Sequence, residues 1–149
     1  MKRLFTVGVS ALVALALQTV CIAEESPEKK VAHIDNCRVE YKATDVLEFV
    51  PEKGAWWDVE ITTVVTNTSD RNIFFKVKSY LYPAGSNKYI AANAKPLKIV
   101  AFQTDSVTQI LKAAATRFNP EESSYVVKTE LFNFDTKETV DTVYTEVGR

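Results

Sequence analysis

The chain has 149 residues, with 18 Lys and Arg against 19 Asp and Glu, a formal net charge of −1. That balance carries no basic excess to neutralise a phosphate backbone, which argues against nucleic-acid binding. Two cysteines and four glycines likewise argue against a disulfide framework and a glycine-rich phosphate loop.

In chain order, Lys2 and Arg3 precede an uncharged apolar run from Leu4 to Leu17, followed by a polar Gln18-Thr19 break. This is the pattern of a secretory signal peptide. Small residues at Cys21 and Ala23, with Glu24 and Glu25 next, predict cleavage after Ala23, so that residues 1–23 are removed. A retained membrane anchor is the bland alternative, and the run is short of the ~20 apolar residues a span requires. A lipoprotein acylated at Cys21 is another, but Gln18-Thr19-Val20 lacks the matching apolar and small pair. Cleavage leaves 126 residues with a net charge of −3 and Cys37 as the remaining cysteine. That length suits one domain, and a seven-strand sandwich needs about 100 residues.

Residues 24–31 mix charges of both signs with a proline and no apolar spacing, and read as a flexible leader before a domain over 32–149. From Ala32 the period becomes two, with Cys37, Val39 and Tyr41 on one face and Arg38 and Glu40 on the other. Val46 to Val50 is a short or edge strand that ends at the turn Pro51-Glu52-Lys53-Gly54. Trp57, Val59, Ile61, Thr63 and Val65 then face inward, opposite Asp58, Glu60 and Thr62. After the turn Asn67-Thr68-Ser69-Asp70, a second alternating strand places Ile73, Phe75, Val77 and Leu81 inward, and the pair reads as a hairpin. Lys95 to Phe102 gives one more strand. Ser124 to Phe134 and Thr139 to Val147 form another hairpin around Asp135-Thr136-Lys137-Glu138. In Ser106 to Phe118, Val107, Ile110, Leu111, Ala114 and Phe118 follow helical spacing and Ser106 with Gln109 makes a capping-box pair, so a short helix near 106–116 competes with a strand. Short strands separated by turn signals predict an all-β fold, an immunoglobulin-like antiparallel sandwich of about seven strands.

The run Val64-Val65-Thr66-Asn67-Thr68-Ser69, a β-rich stretch to Ser79, and Tyr80-Leu81-Tyr82 with Gly85 resemble exported bacterial immunoglobulin-like modules of the FxLYD type. In that family a strand ends in an Asn-x-Ser turn and its partner in an aromatic-Leu-Tyr and a glycine-containing turn; this chain has Pro83 where an acidic residue is usual. The resemblance spans about thirty residues. It implies a fibronectin- or immunoglobulin-like sandwich used for interaction and carries over no catalytic residues. Phe118 to Tyr125 also resembles, with looser spacing, the tyrosine corner of such sandwiches.

The inventory for chemistry is thin. One histidine, His33, would have to serve any Ser-His-Asp or Cys-His mechanism. By alternation His33, Asp35 and Cys37 share a face, a possible metal set, but a fourth ligand is missing and a lone cysteine on an apolar face commonly acts as a small core hydrophobe. Asp58 with Glu60, and Glu121 with Glu122, could pair carboxylates, yet neither pair sits in an identifiable apolar pocket that would raise one pKa. Asn67-Thr68-Ser69 fits a glycosylation sequon, yet the short basic start of the signal is of bacterial type, so the turn is the favoured reading. No catalytic residue, metal site or cofactor is assigned.

The strongest candidate for partner binding is the outward face of the second central strand: Phe74, Lys76, Lys78, Tyr80 and Tyr82, extended by Trp56 if the two central strands are neighbours. Aromatic groups beside cationic stems are interface composition; the competing reading has the lysine stems merely covering Phe74 and Tyr80. The expectation is a non-enzymatic exported module, periplasmic or secreted, that binds a protein partner in the envelope or outside the cell. The alternatives are an assembly subunit that self-associates through sheet edges or Cys37, and a metal-binding or hydrolytic enzyme using His33.

Overall fold

The computed structural model describes residues 30–44 and 55–149, and all seven of its elements are strands. The signal peptide, most of the leader, the Val46–Val50 strand and the turn after it lie outside the described residues. In chain order the elements are β1 (Ala32–Thr44), β2 (Trp56–Asn67), β3 (Ile73–Pro83), β4 (Ala91–Ile99), β5 (Thr104–Ala114), β6 (Ser124–Asn133) and β7 (Glu138–Gly148). They form a three-stranded sheet, β1-β2-β5, packed on a four-stranded sheet, β4-β3-β6-β7, with every pairing antiparallel. This is the expected all-β sandwich, and the division of strands gives it a fibronectin-like arrangement.

The expected β2–β3 hairpin is corrected. The two strands lie in different sheets, because both edges of β2 are occupied by β1 and β5. The chain crosses the core instead. Asn67 drives the crossing: fully buried, its amide donates to the carbonyls of Arg71, Ile99 and Val100 at 2.7, 3.2 and 3.3 Å, and its side-chain oxygen accepts from the Ser69 backbone and hydroxyl. One side chain thus ties together two connections between the sheets, and the turn reading of Asn67-Thr68-Ser69 holds. The β6–β7 hairpin forms as expected, its turn held by Asn133, whose Oδ1 accepts from the Asp135 backbone at 2.8 Å.

The competition over residues 106–118 is settled as a strand. β5 pairs with β2 over its whole length, with Gln109, Leu111 and Ala113 buried at a spacing of two and Ile110 exposed. Tertiary context overrides the helical spacing, since β2 would otherwise present an unpaired edge. Phe118 reaches the core separately, through a turn in which its N–H and that of Arg117 donate to Ala114 O. The strand expected at Lys95–Phe102 runs from Ala91 to Ile99, and Phe102 sits in the following turn at φ 57°.

The corner before β6 is a true tyrosine corner. The Tyr125 hydroxyl accepts from Asn119 N at 2.8 Å and donates to Arg117 O at 3.2 Å, tying the start of β6 to the loop before it. Phe118 packs there among Tyr41, Trp57 and Tyr125, with ring centroids 4.6 to 6.1 Å away. Beside this corner Gly148 adopts φ +88°, and a Cβ on it would lie 2.5 Å from Ser123 O. Only glycine fits.

Side chains close both sides of the sandwich. Asn93 and Lys95 of β4 donate to Ile110 O and Thr108 O of β5 at 3.0 and 2.7 Å. On the other side Asp141, next to a bulge in the β6–β7 register, accepts from Ile34 N and from Lys30, each at 2.8 Å. Ile34 itself borders the bulge at Asp35 in β1. Backbone groups that would recruit another strand are occupied at these points.

Candidate functional site

Register fixes what the four-stranded sheet shows on its outer face. Lys76, Lys78, Tyr80 and Tyr82 of β3 stand beside Phe132, Glu130, Lys128 and Val126 of β6. On the β4 side Phe74 faces Lys98; on the β7 side Tyr144 faces Lys128. The five β3 residues expected on one face therefore do share it. Trp56 does not join them. It lies on β2 in the other sheet, 40% exposed, opposite Thr44 and Ala114, because β2 and β3 are not neighbours.

The face has two ends. At the phenylalanine end each ring carries an ammonium: Lys78 Nζ lies 4.1 Å from the Phe132 centroid, Lys98 Nζ 5.3 Å from Phe74 and Lys137 Nζ 5.6 Å from Phe134. These are cation–π contacts. The covering expected of the Lys76 and Lys78 stems over Phe74 and Tyr80 takes another form: Lys78 lies over Phe132 of β6, and Phe74 is met by Lys98 of β4. At the tyrosine end Tyr80, Tyr82 and Tyr89 contact one another with centroids 5.5 to 6.4 Å apart, tilted or edge-on. Tyr89 is 56% and Tyr144 68% exposed. A shallow groove of about 350 Å³ runs beside Tyr144, lined among others by Tyr82, Pro83, Asn87, Val126 and Lys128.

The two ends meet at an ion pair, Lys128 Nζ to Glu130 Oε1 at 2.5 Å. The hydrogen bond to Glu130 raises the Lys128 pKa, outweighing the opposing effect of burial. The Tyr80 phenol is also raised, by burial first, then by the Glu130 carboxylate and Tyr82. It therefore keeps its proton across the physiological range.

The remaining candidates fall apart as sites. His33 and Asp35 point outward as a pair, His33 Nε2 to Asp35 Oδ1 at 2.8 Å. The bulge at Asp35 shifts the alternation, so Cys37 turns inward to Thr129 Oγ1 at 3.4 Å. The shared face expected of His33, Asp35 and Cys37 is corrected accordingly. Among the described residues no group of three or more His, Cys, Asp or Glu side chains could hold a metal. Asp58 and Glu60 line a small cleft of about 180 Å³ with Glu40, Tyr41, Lys42 and Ile110. Glu121 and Glu122 are exposed in the corner loop.

Reading one strand at a time misses Tyr89, Tyr144, Phe132, Phe134 and the Lys128–Glu130 pair. The alternation of Val126, Lys128, Glu130 and Phe132 marks an outward row, but only the pairing of β6 with β3 puts that row beside Tyr80. Tyr89 lies in a connection without periodicity.

No protein-family model matches the chain, and no curated protein matches it. Solved structures do. A glycosyl hydrolase family 2 member from Bacteroides cellulosilyticus is similar over 78% of this chain and 15% of its own, at 18% identity and a TM-score of 0.60. A putative beta-galactosidase from Bacteroides fragilis covers 79% and 17%, at 13% identity and 0.61. A Bacteroides uniformis beta-glucuronidase covers 78% and 14%, at 16% identity and 0.61. The chain spans about one sixth of such proteins or less. At these identities the likeness is one of fold, an all-β sandwich of immunoglobulin-like type.

Proposed function

We propose that this chain is a non-enzymatic, exported binding module of the FxLYD-type sandwich class, which docks a protein partner on the outer face of its four-stranded sheet. The observation that carries the reading is the uncovered tyrosine end. Tyr89 and Tyr144 are mostly exposed beside half-buried Tyr80 and Tyr82, while the phenylalanines on the same face are capped by lysines. Tyrosines supply rigid contact area with a polar tip at little entropic cost, the composition of an interface core. The lysine to tyrosine gradient supplies a polar rim on one side.

Export is supported by the signal-peptide pattern of residues 1–23. The assembly reading loses support from Cys37, whose thiol faces the core, and from the side chains that occupy β5 carbonyls.

A photo-crosslinking residue at Tyr144 or Tyr89, in cells, is expected to capture a defined partner, whereas one at Thr108 on the opposite sheet captures none. Partners captured from Glu121 but not from Tyr144 would move recognition to the corner loop. Light scattering on the purified chain separates the assembly alternative, which requires a stable dimer or polymer.

A further inference from the structure

A layer of polar side chains cuts across the middle of the core. Cys37 and Thr63 stand opposite each other in one sheet, Ser79 and Thr129 in the other. Gln109 of β5 reaches between the sheets, its amide nitrogen donating to Val77 O at 3.2 Å and Ser79 Oγ at 3.4 Å. Thr129 Oγ1 lies 3.3 Å from Ser79 Oγ and 3.4 Å from Cys37 Sγ. On one side of this layer packs the Phe75 cluster, on the other the Phe118 cluster, and Cys37 touches both.

Two atoms of the layer lack a hydrogen-bond partner among the described residues: Thr63 Oγ1 and Gln109 Oε1, on side chains with no exposed surface. They are complementary, since a hydroxyl can donate and an amide oxygen only accepts. They are also diagonal neighbours on the inner face, because Thr63 pairs with Val107 and Ile61 with Gln109. Diagonal positions lie roughly 7–8 Å apart at their Cα atoms, within the span of one bridging molecule.

We propose that this seam binds a single internal water, which accepts from the Thr63 hydroxyl and donates to Gln109 Oε1, with Cys37 opposite Thr63 as a third polar neighbour. Buried waters characteristically hold two to four such partners. The site has a position relevant to the surface. Ser79 and Thr129 alternate with Lys78, Tyr80, Lys128 and Glu130 along β3 and β6, so the seam lies directly beneath the ion pair of the outer face.

Water-selective cross-relaxation NMR on the labelled chain tests this. The expected result is cross-peaks from one long-lived water to the Thr63 methyl and the Gln109 side-chain amide. Thr63→Val, which keeps the shape and removes the hydroxyl, should erase the Gln109 cross-peak and lower the folding equilibrium constant roughly tenfold. Thr63→Ser should retain the cross-peak. A wild-type chain without these cross-peaks, or a Thr63→Val chain that keeps them, overturns the assignment. Should Thr63→Val not fold, the wild-type spectrum alone decides.

Discussion

The phenylalanine and tyrosine ends of one sheet face use the same kind of side chain for different ends. Phe74, Phe132 and Phe134 have no polar tip, and each is covered by an ammonium from its own domain. The tyrosines lean on one another, and Tyr89 and Tyr144 stay open. Exposure alone would rank Phe74, at 50%, with the tyrosines. What separates them is whether the molecule already satisfies the ring.

The most severe way to break this contrast is from below. Phe118→Ala removes a fully buried ring from the Tyr41, Trp57 and Tyr125 cluster and should cost about 3–5 kcal/mol in urea unfolding. Phe74→Ala, on the capped outer surface, should cost under about 1.5 kcal/mol.

Binding sharpens it next. Tyr144→Ala combined with Tyr89→Ala should weaken the captured partner by about 2 kcal/mol or more in calorimetry while leaving the melting temperature nearly unchanged. Phe132→Ala should do the reverse. Equal losses of binding from both ends would erase the distinction.

Tyr125→Phe keeps the ring but leaves Asn119 N and Arg117 O without the hydroxyl. A loss of about 1–2 kcal/mol is expected, read from the shift in the urea midpoint.

The smallest effect concerns the clasp between β1 and β7. Burial tends to raise the Asp141 pKa, but the hydrogen bonds from Lys30 and the Ile34 backbone prevail and hold it below the usual range. A depressed folded-state pKa means that the clasp contributes fully above the unfolded value of about 3.9 and fades as pH falls through the folded value below it. Asp141→Asn should therefore cost a little stability at neutral pH, where the clasp contributes fully, and progressively less as pH falls, so that urea midpoints taken across pH show a flatter acid limb.

Period-two alternation reveals nearly every strand and the inward sets of β2 and β3 from the sequence, because one face of each strand is buried. It does not say which strands are neighbours. Asn67-Thr68-Ser69-Asp70 looks the same whether the chain turns back beside β2 or crosses to the other sheet; the difference lies in where the Asn67 amide finds its carbonyls, some 32 residues away at Ile99. For the same reason Phe74 through Tyr82 can be placed on one surface while Trp56 cannot. Gln109 misleads by its position: three residues after Ser106 it imitates a helix cap, whereas its side chain spans the core.

The burial of Asn67 also bears on how the protein is produced. An oligosaccharyltransferase needs the asparagine amide free, and here that nitrogen is committed to three carbonyls with no surface exposed. In a eukaryotic secretory host the sequon can be modified only before the domain closes, and a glycan attached there would prevent closure. The glycosylated fraction would thus count the chains that failed to fold, a ready quality marker on a gel.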